Sequence, residues 1–185
     1  MKLVLGSSSK YRKEEMENAG FVFDVMTSDV DELAIRHDDP YKLPLLLASA
    51  KADAIIPKIT EPAILITADV VVVQNGRLFE KPSSRDEVIE WVKGYENNSL
   101  DIVTGVVIHN THTGRRVNGV DISKVVWGPI DWEKLDEIIA SGDLWNCAGG
   151  FNAQMVDLFG VLYDSQDRRR GVPIYLIREL VKKVE

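Results

Sequence analysis

The sequence predicts a mixed α/β (or α+β) fold in which a mixed β-sheet is flanked by helices. Three observations lead there. Short β-forming runs alternate with helical runs through the first half of the chain. The most apolar run, Ile64 to Val73, ends at a turn signal. Two long strand-like runs, Asp101 to Asn110 and Arg115 to Val126, then follow each other with only Thr111–Gly114 between them. The chain has 185 residues, 45% hydrophobic and 28% charged, enough to bury a core as a single domain or as two lobes split around the central hairpins. It is treated as one domain over 1–185, with no readable boundary between lobes.

The elements follow in order. Lys2 to Leu5 is a short strand, and Gly6-Ser7-Ser8-Ser9 leads into a helix with Met16 and Ala19 inward and Gly20 as its stop. Phe21 to Met26 reads as a buried strand, and Ser28 to Asp39 as an acid-rich loop. Asp39 and Pro40 open a helix that runs to about Ile56, ahead of Pro57. Pro44 falls inside it and allows a start one turn later. After the Ile64–Val73 strand, Asn75-Gly76 marks a hairpin turn and Arg77 to Glu80 returns. Ser84 to Glu87 fits a capping box for a helix with Val88, Ile89 and Val92 inward, closed by Gly94. Asp131 caps a helix to about Ala140, and Gly142 to Asn152 is loop-rich. Gln154 to Val161 reads as a short strand or turn, Tyr163 to Gly171 as polar chain, and Pro173 starts a last helix to Val184.

Charge and cysteine content exclude several classes. Lys plus Arg number 22 and Asp plus Glu 29, a net charge of −7 that argues against a broad nucleic-acid or anionic-membrane surface. A local basic pocket remains compatible, because salt screens charges beyond roughly 8–10 Å. Cys147 is the single cysteine, so neither an intrachain disulfide nor a Cys-based zinc site can be built. No run reaches the about 18 apolar residues of a membrane helix, and the first apolar run stops at Gly6, too short for a signal peptide. The expected compartment is the cytoplasm.

Chemistry concentrates in a few places. At Leu5 to Arg12 a strand ends and a helix begins, with three hydroxyls at the turn. Helix N-termini present unpaired N–H groups to phosphate, and Ser7, Ser9 and Arg12 add donors. Ordinary capping by one serine is the alternative, and the P-loop pattern is absent. Asp69 stands inside the most apolar strand, where a carboxylate is costly unless paired or metal-bound. Asp31-Glu32 gains interest only together with Asp69, since hard oxygens from two places hold Mg²⁺ or Mn²⁺. Lys51 sits among Ala48, Ser49, Ala50 and Ala52, either for close approach of a ligand or as a snorkelling surface lysine. Lys81, in Glu80-Lys81-Pro82, falls where it could face Asp69 or a phosphate, although a Lys-Pro pair is usually plain loop. Cys147 to Gln154 could recognise a base or form a tight turn. His37, His109 and His112 lack metal spacing, Arg168–Arg170 reads as a solvated or paired run, and Trp91, Trp127, Trp132 and Trp145 as packing residues.

Together these motifs resemble the Maf (septum formation inhibitor) family within the Maf/Ham1-like nucleotide pyrophosphatases, in one order over nearly the whole chain. Leu5-Gly6-Ser7-Ser8-Ser9 with Arg12 and Glu14 is similar to the family's LASxSPRRxELL stretch. Asp31-Glu32 matches its DE pair, Ala50-Lys51-Ala52 its AxxKA helix and Ala68-Asp69 its ADTVV strand. Lys81-Pro82, Val103-Thr104-Gly105-Val106, Ala148 to Gln154 and Gly171-Val172-Pro173 match its KP, VxTGV, AGxYxxQG and GLP elements. Departures fall at Lys10-Tyr11 for Pro-Arg, Val70 for Thr, Lys93-Gly94-Tyr95 for Ser-Gly-Arg/Lys, and Cys147 for a frequent Lys. Gln154 also lacks the glycine that follows it in the family pattern.

The resemblance implies a long twisted sheet, two lobes around a deep cleft, and often a homodimer. It implies hydrolysis of nucleoside triphosphates, typically pyrimidine or modified ones, to monophosphate and pyrophosphate with a divalent cation. In that scheme Ser7, Ser9 and Arg12 hold phosphates, and Lys51 and Lys81 neutralise the leaving group. Glu32 and Asp69 hold Mg²⁺ or Mn²⁺ and the attacking water, and Gln154 reads the base. A catalytically weak nucleotide-binding or interaction protein, and a phosphatase or sugar-nucleotide enzyme, are the alternatives.

Overall fold

In the computed structural model, which describes residues 1–152, 155, 162–163 and 172–185, β1 (Lys2–Leu5) runs parallel to two neighbours. Leu5 lies beside Val25 of β2 (Phe23–Val25) and Ile66 of β3 (Ala63–Gln74). The parallel pairs require crossovers, and two helices supply them. α1 (Lys10–Asn18) joins β1 to β2 and buries Met16 in a cluster with Leu5, Ile64 and Ile66. α2 (Leu43–Ile55) joins β2 to β3 and packs Ala48, Ala52 and Ile55 on Val4, Ala63 and Leu65. Successive strand residues point to opposite faces, so the two helices cover opposite sides of the sheet. A mixed sheet flanked by helices is therefore the observed class.

The chain forms two compact units, and their division falls inside β3, β5 and β6. The first comprises Met1–Val70, Thr104–Asp121 and Arg170–Glu185. Its strand order is β2-β1-β3-β5-β6, with β5 spanning Ser99–Asn110 and β6 Arg116–Val126. α5 (Ile174–Val184) buries Ile177, Leu180, Val181 and Val184 in the cluster that holds Val106 and Ile108. Asn110 ties the β5–β6 turn together: its Oδ1 accepts from the His112 and Thr113 amides, and its Nδ2 donates to the Val184 carbonyl.

The second unit comprises Val71–Val103 and Ile122–Arg169. β4 (Arg77–Phe79) turns back on β3 through Asn75 and Gly76, both at positive φ, as a two-residue hairpin requires. α3 (Arg85–Tyr95) and α4 (Trp132–Ser141) start at the serine and aspartate caps expected, Ser84 and Asp131. β7 (Leu162–Tyr163) pairs with Val125 and Val126 of β6. An aromatic cluster fills this unit. Phe79 meets Trp91 and Tyr95 edge-on at 5.3 and 5.5 Å, and Phe151 meets Trp127 at 5.2 Å.

Several boundaries differ from expectation. β2 is three residues long and stands at the end of the strand order, so Asp24 and Val25 are exposed where a buried strand was expected. α2 begins at Leu43 because Asp39 instead turns the chain, its carboxylate accepting from the Tyr41 amide, and Pro44 occupies the first helical turn. Gly94 does not close α3: Tyr95, fully buried, carries the helix one residue further, and Trp91 joins its inner face while Ile89 is half-buried. Trp132 is exposed beneath the Lys93 ammonium rather than packed. Of the expected Gln154–Val161 segment only Met155, which is buried, is among the described residues, and Arg168–Arg170 lie outside them.

Gly105 sets the depth at which α2 docks. A Cβ there would fall 2.4 Å from the Leu45 nitrogen and the Pro44 carbonyl carbon, both backbone atoms that cannot rotate away. Gly105→Ala is expected to destabilise the protein by about 3 kcal/mol, the upper range for overpacking. Urea unfolding, read as a fall in midpoint at unchanged slope, measures it.

Candidate active site

The β2-β1-β3 order makes the place beyond the carboxyl end of β1, where β3 runs on past it, a switch point: the chain leaves β1 over one face of the sheet and returns to β3 over the other. Open α/β sheets leave a crevice at such a point, and ligands bind there. Four of the sequence-predicted groups sit around this point. Gly6, the first residue past β1, donates to the Ile66 carbonyl at 2.7 Å. A Cβ on Gly6 would fall 2.5 Å from the Thr67 methyl and 2.8 Å from Ile55, so only glycine lets the β1 end lie this close.

Ser7, Ser9 and Arg12 form one hydrogen-bonded turn. Ser9 caps α1 by accepting from the Arg12 amide at 3.4 Å. The buried Ser7 hydroxyl accepts from the Ser9 amide at 3.2 Å and from Arg12 Nη1 at 3.0 Å. A hydroxyl has two acceptor sites and one donor, so Ser7 keeps its own O–H to offer an acceptor such as a phosphate oxygen. Ser9 is thus a cap, Ser7 orients the guanidinium, and Ser8 is exposed.

Asp69 on β3 and Lys51 on α2 face each other where the helix packs on the sheet. Asp69 shares its strand face with Ala63, Leu65 and Thr67, the face α2 covers. Lys51 occupies the buried stripe of α2, in register with Pro44, Leu47, Ala48 and Ile55. Its ammonium donates to Asp69 Oδ1 at 2.5 Å and reaches Glu32 Oε1 at 2.9 Å. Both Lys51 and Asp69 are 6% exposed, so this is a buried ion pair and not the snorkelling surface lysine that the sequence left open. The Thr67 hydroxyl donates to the Ala48 carbonyl at 2.8 Å and pins α2 one turn away.

Glu32 and Asp31 separate in role. Asp31 caps a short 3₁₀ turn (Glu32–Ala34), its Oδ1 accepting from the Leu33 amide. Glu32, half-buried, turns toward Lys51. The Asp69 and Glu32 oxygens therefore converge within reach of one ammonium nitrogen. Two convergent hard donors suit Mg²⁺ or Mn²⁺, which take their other ligands from water and substrate phosphate. Among the described residues no third His, Cys, Asp or Glu completes a protein-only cage.

The remaining candidates belong to the second unit or stand apart. Lys81 is exposed in the loop after β4. Gln154 lies outside the described residues. Its motif begins as a structural turn: Gly149 and Gly150 are at positive φ, the Gly149 amide donates to the Glu80 carbonyl at 2.8 Å, and its carbonyl accepts from the buried Tyr95 hydroxyl at 3.0 Å. A Cβ on Gly149 would meet Val72 at 2.8 Å. Burial raises the Tyr95 phenol well above its ordinary value. His109 is influenced by the Asp53–Arg116 pair, and burial with the Arg116 charge lowers its imidazole below the ordinary value. Pro44, Thr67 and Gly105 were not singled out as site residues. A glycine inside the apolar β5 run is a signal for Gly105, but only the docked helix shows its use.

A family model described as Maf-like protein matches residues 2–184, and the chain belongs to that family. It is 37% identical to a 7-methyl-GTP pyrophosphatase of Dictyostelium discoideum over 98% of this chain and 96% of that protein. It is 32% identical to a dTTP/UTP pyrophosphatase of Alkaliphilus metalliredigens over 83% of this chain and 79% of that protein. A 7-methyl-GTP pyrophosphatase of Idiomarina loihiensis is 30% identical over 97% and 93%.

Cys147 gives a pH-dependent test of the second unit. Burial, aided by Asp143, pushes its thiol up to about 11, while Lys81 pulls the other way. At pH 8 about one thiol in 10³ is ionised, against about one in four for an ordinary cysteine. Iodoacetamide labelling of the folded protein at pH 8 is expected to run at least about 100-fold slower than in urea. The folded rate rises with pH toward 11, and mass spectrometry of the Cys147 peptide reads both.

Proposed function

We propose that this chain is a nucleoside triphosphate pyrophosphatase that cleaves the α–β phosphoanhydride to give a monophosphate and pyrophosphate. The observation that carries the reading is the buried Lys51 held by Asp69 and Glu32, with Asp69 on β3 just beyond the carboxyl end of β1 and the Ser7–Arg12 turn directly following that end. Acids, a cation and phosphate donors gathered at a switch point suit phosphoryl chemistry, and the family's members named above are pyrophosphatases.

In this mechanism the Arg12 fork and the Ser7 hydroxyl bind phosphate oxygens, with the amides at the start of α1 adding donors. Lys51 neutralises charge as pyrophosphate departs. The attacking water gives its proton to one of the two carboxylates, Asp69 or Glu32. Glu32 and Asp69 would hold a divalent cation, which supplies Lewis-acid stabilisation of phosphate charge when bound. Lys81 and Gln154 enter the reading through the family pattern alone. Substrates are modified or pyrimidine triphosphates, the two kinds that the relatives' names print, and the protein acts in the cytoplasm.

A pyrophosphate-release screen across common and modified triphosphates tests the activity. Pyrophosphate from at least one modified or pyrimidine triphosphate is expected. Orthophosphate alone points to a phosphatase, and binding without turnover to a nucleotide-binding protein. Asp69→Asn is expected to lower kcat by about 10²–10⁴, the usual weight of a general base, with circular dichroism unchanged. Excess EDTA is expected to abolish turnover and Mn²⁺ to restore it; full activity in EDTA removes the cation from the reaction.

A further inference from the structure

Lys51 presents a conflict within the site just described. Its ammonium is the group on which the Asp69 and Glu32 oxygens converge, at 2.5 and 2.9 Å, and those same two carboxylates would be the donors for a divalent cation. Magnesium–oxygen bonds are about 2.0–2.1 Å, so an ammonium that kept both contacts would stand only about 4–5 Å from a doubly charged ion on the same carboxylates. Where Lys51 and Asp69 are as buried as they are here, such repulsion is only partly screened. The ammonium and a divalent cation therefore compete for the two carboxylates.

We propose that Lys51 is the resident counter-ion of the Glu32–Asp69 acid pair and that its displacement by a divalent cation turns its N–H donors toward phosphate. This rests on the reading of the site given above and adds a use for the lysine before substrate arrives. Without a cation the buried Asp69 carboxylate would lose solvation and meet the like charge of the half-buried Glu32. The ammonium removes that penalty as long as no divalent cation is bound. Lys51 has the means to move: its four-carbon stem is flexible, and its ammonium is a point charge that does not demand one geometry. The stem is anchored on α2, whose position is fixed by Gly105 and by the Thr67–Ala48 hydrogen bond, so the lysine can swing while the helix stays. The consequence is coupling. The cation binds weakly while Lys51 competes for its ligands, and better once a polyphosphate offers Lys51 another partner.

The test uses the full chain and Mn²⁺ alone, with free Mn²⁺ read by electron paramagnetic resonance. Lys51→Met keeps the stem and deletes the charge. It is expected to bind Mn²⁺ at least about tenfold more tightly than the wild type in the absence of nucleotide. Lys51→Arg, which keeps the charge, is expected to stay near the wild type. Equal or weaker Mn²⁺ binding by a folded Lys51→Met protein overturns the proposal. Reductive methylation of the wild type followed by mass spectrometry is independent of any variant's folding. Lys51 is expected to be protected without metal and to become at least severalfold more reactive at saturating Mn²⁺; unchanged protection of Lys51 with Mn²⁺ bound overturns the proposal as well. Neither readout needs turnover. A protein that releases pyrophosphate but fails these tests keeps its activity and loses the exchange, whereas one that passes them without cleaving any triphosphate loses the activity alone.

Discussion

A lysine ammonium held out of water between two carboxylates is the constraint on which the first unit turns. Taking an ion out of water costs several kcal/mol, and only close, well-placed partners offset it. Asp69 has no freedom to approach, since it is fixed in a strand buried on both faces. The helix must come to the strand. Alanines at 48 and 52 thin the helix where it crosses β3, the absence of a side chain at 105 lets its first turn rest on β5, and Thr67 bonds the helix backbone at Ala48. Each feature is small, and together they set one distance. A pair of this kind is weak as a stabiliser but strict in geometry, and strict geometry is what a site for charged substrate needs.

The second constraint is the strand order. Because β1 lies between β2 and β3, α1 and α2 must take opposite faces, and the edge between them is where their ends diverge. Gly6 lets the chain leave β1 tightly against Thr67, and the Ser7–Arg12 turn then forms on hydrogen bonds of its own. In the second unit glycine does different work. Gly149 and Gly150 adopt a backbone that other residues resist, and the turn they make seats its carbonyl on Tyr95 within the aromatic cluster. The Ala148–Asn152 part of that motif is thus explained by packing.

Much of this was legible beforehand because it depends on local chemistry. The caps Ser84 and Asp131, the Asn75-Gly76 hairpin and the long β5 and β6 runs are written in neighbouring residues. Asp69 stood out because a carboxylate in an apolar strand needs a partner. The strand at 21–26 misled because bulky residues fit a sheet edge as well as a sheet centre, and nothing local tells the two apart. Gly94 misled because a buried tyrosine one residue on outweighs the helix-stopping preference of glycine. For Lys51 the signal was present and unread: residues 44, 47, 48, 51 and 55 share one helical stripe, and a lysine within it is directed inward.

The sequence by itself determined the elements, the family and the kinds of groups available, since propensity, capping and motif order all act over a few residues at a time. Tertiary structure alone decided which of those groups meet. Glu32, Lys51 and Asp69 are far apart in the chain, and three-way contact among them depends on how deeply one helix beds against a sheet. That depth is the sum of many side-chain volumes from separate segments, a quantity that no local stretch encodes.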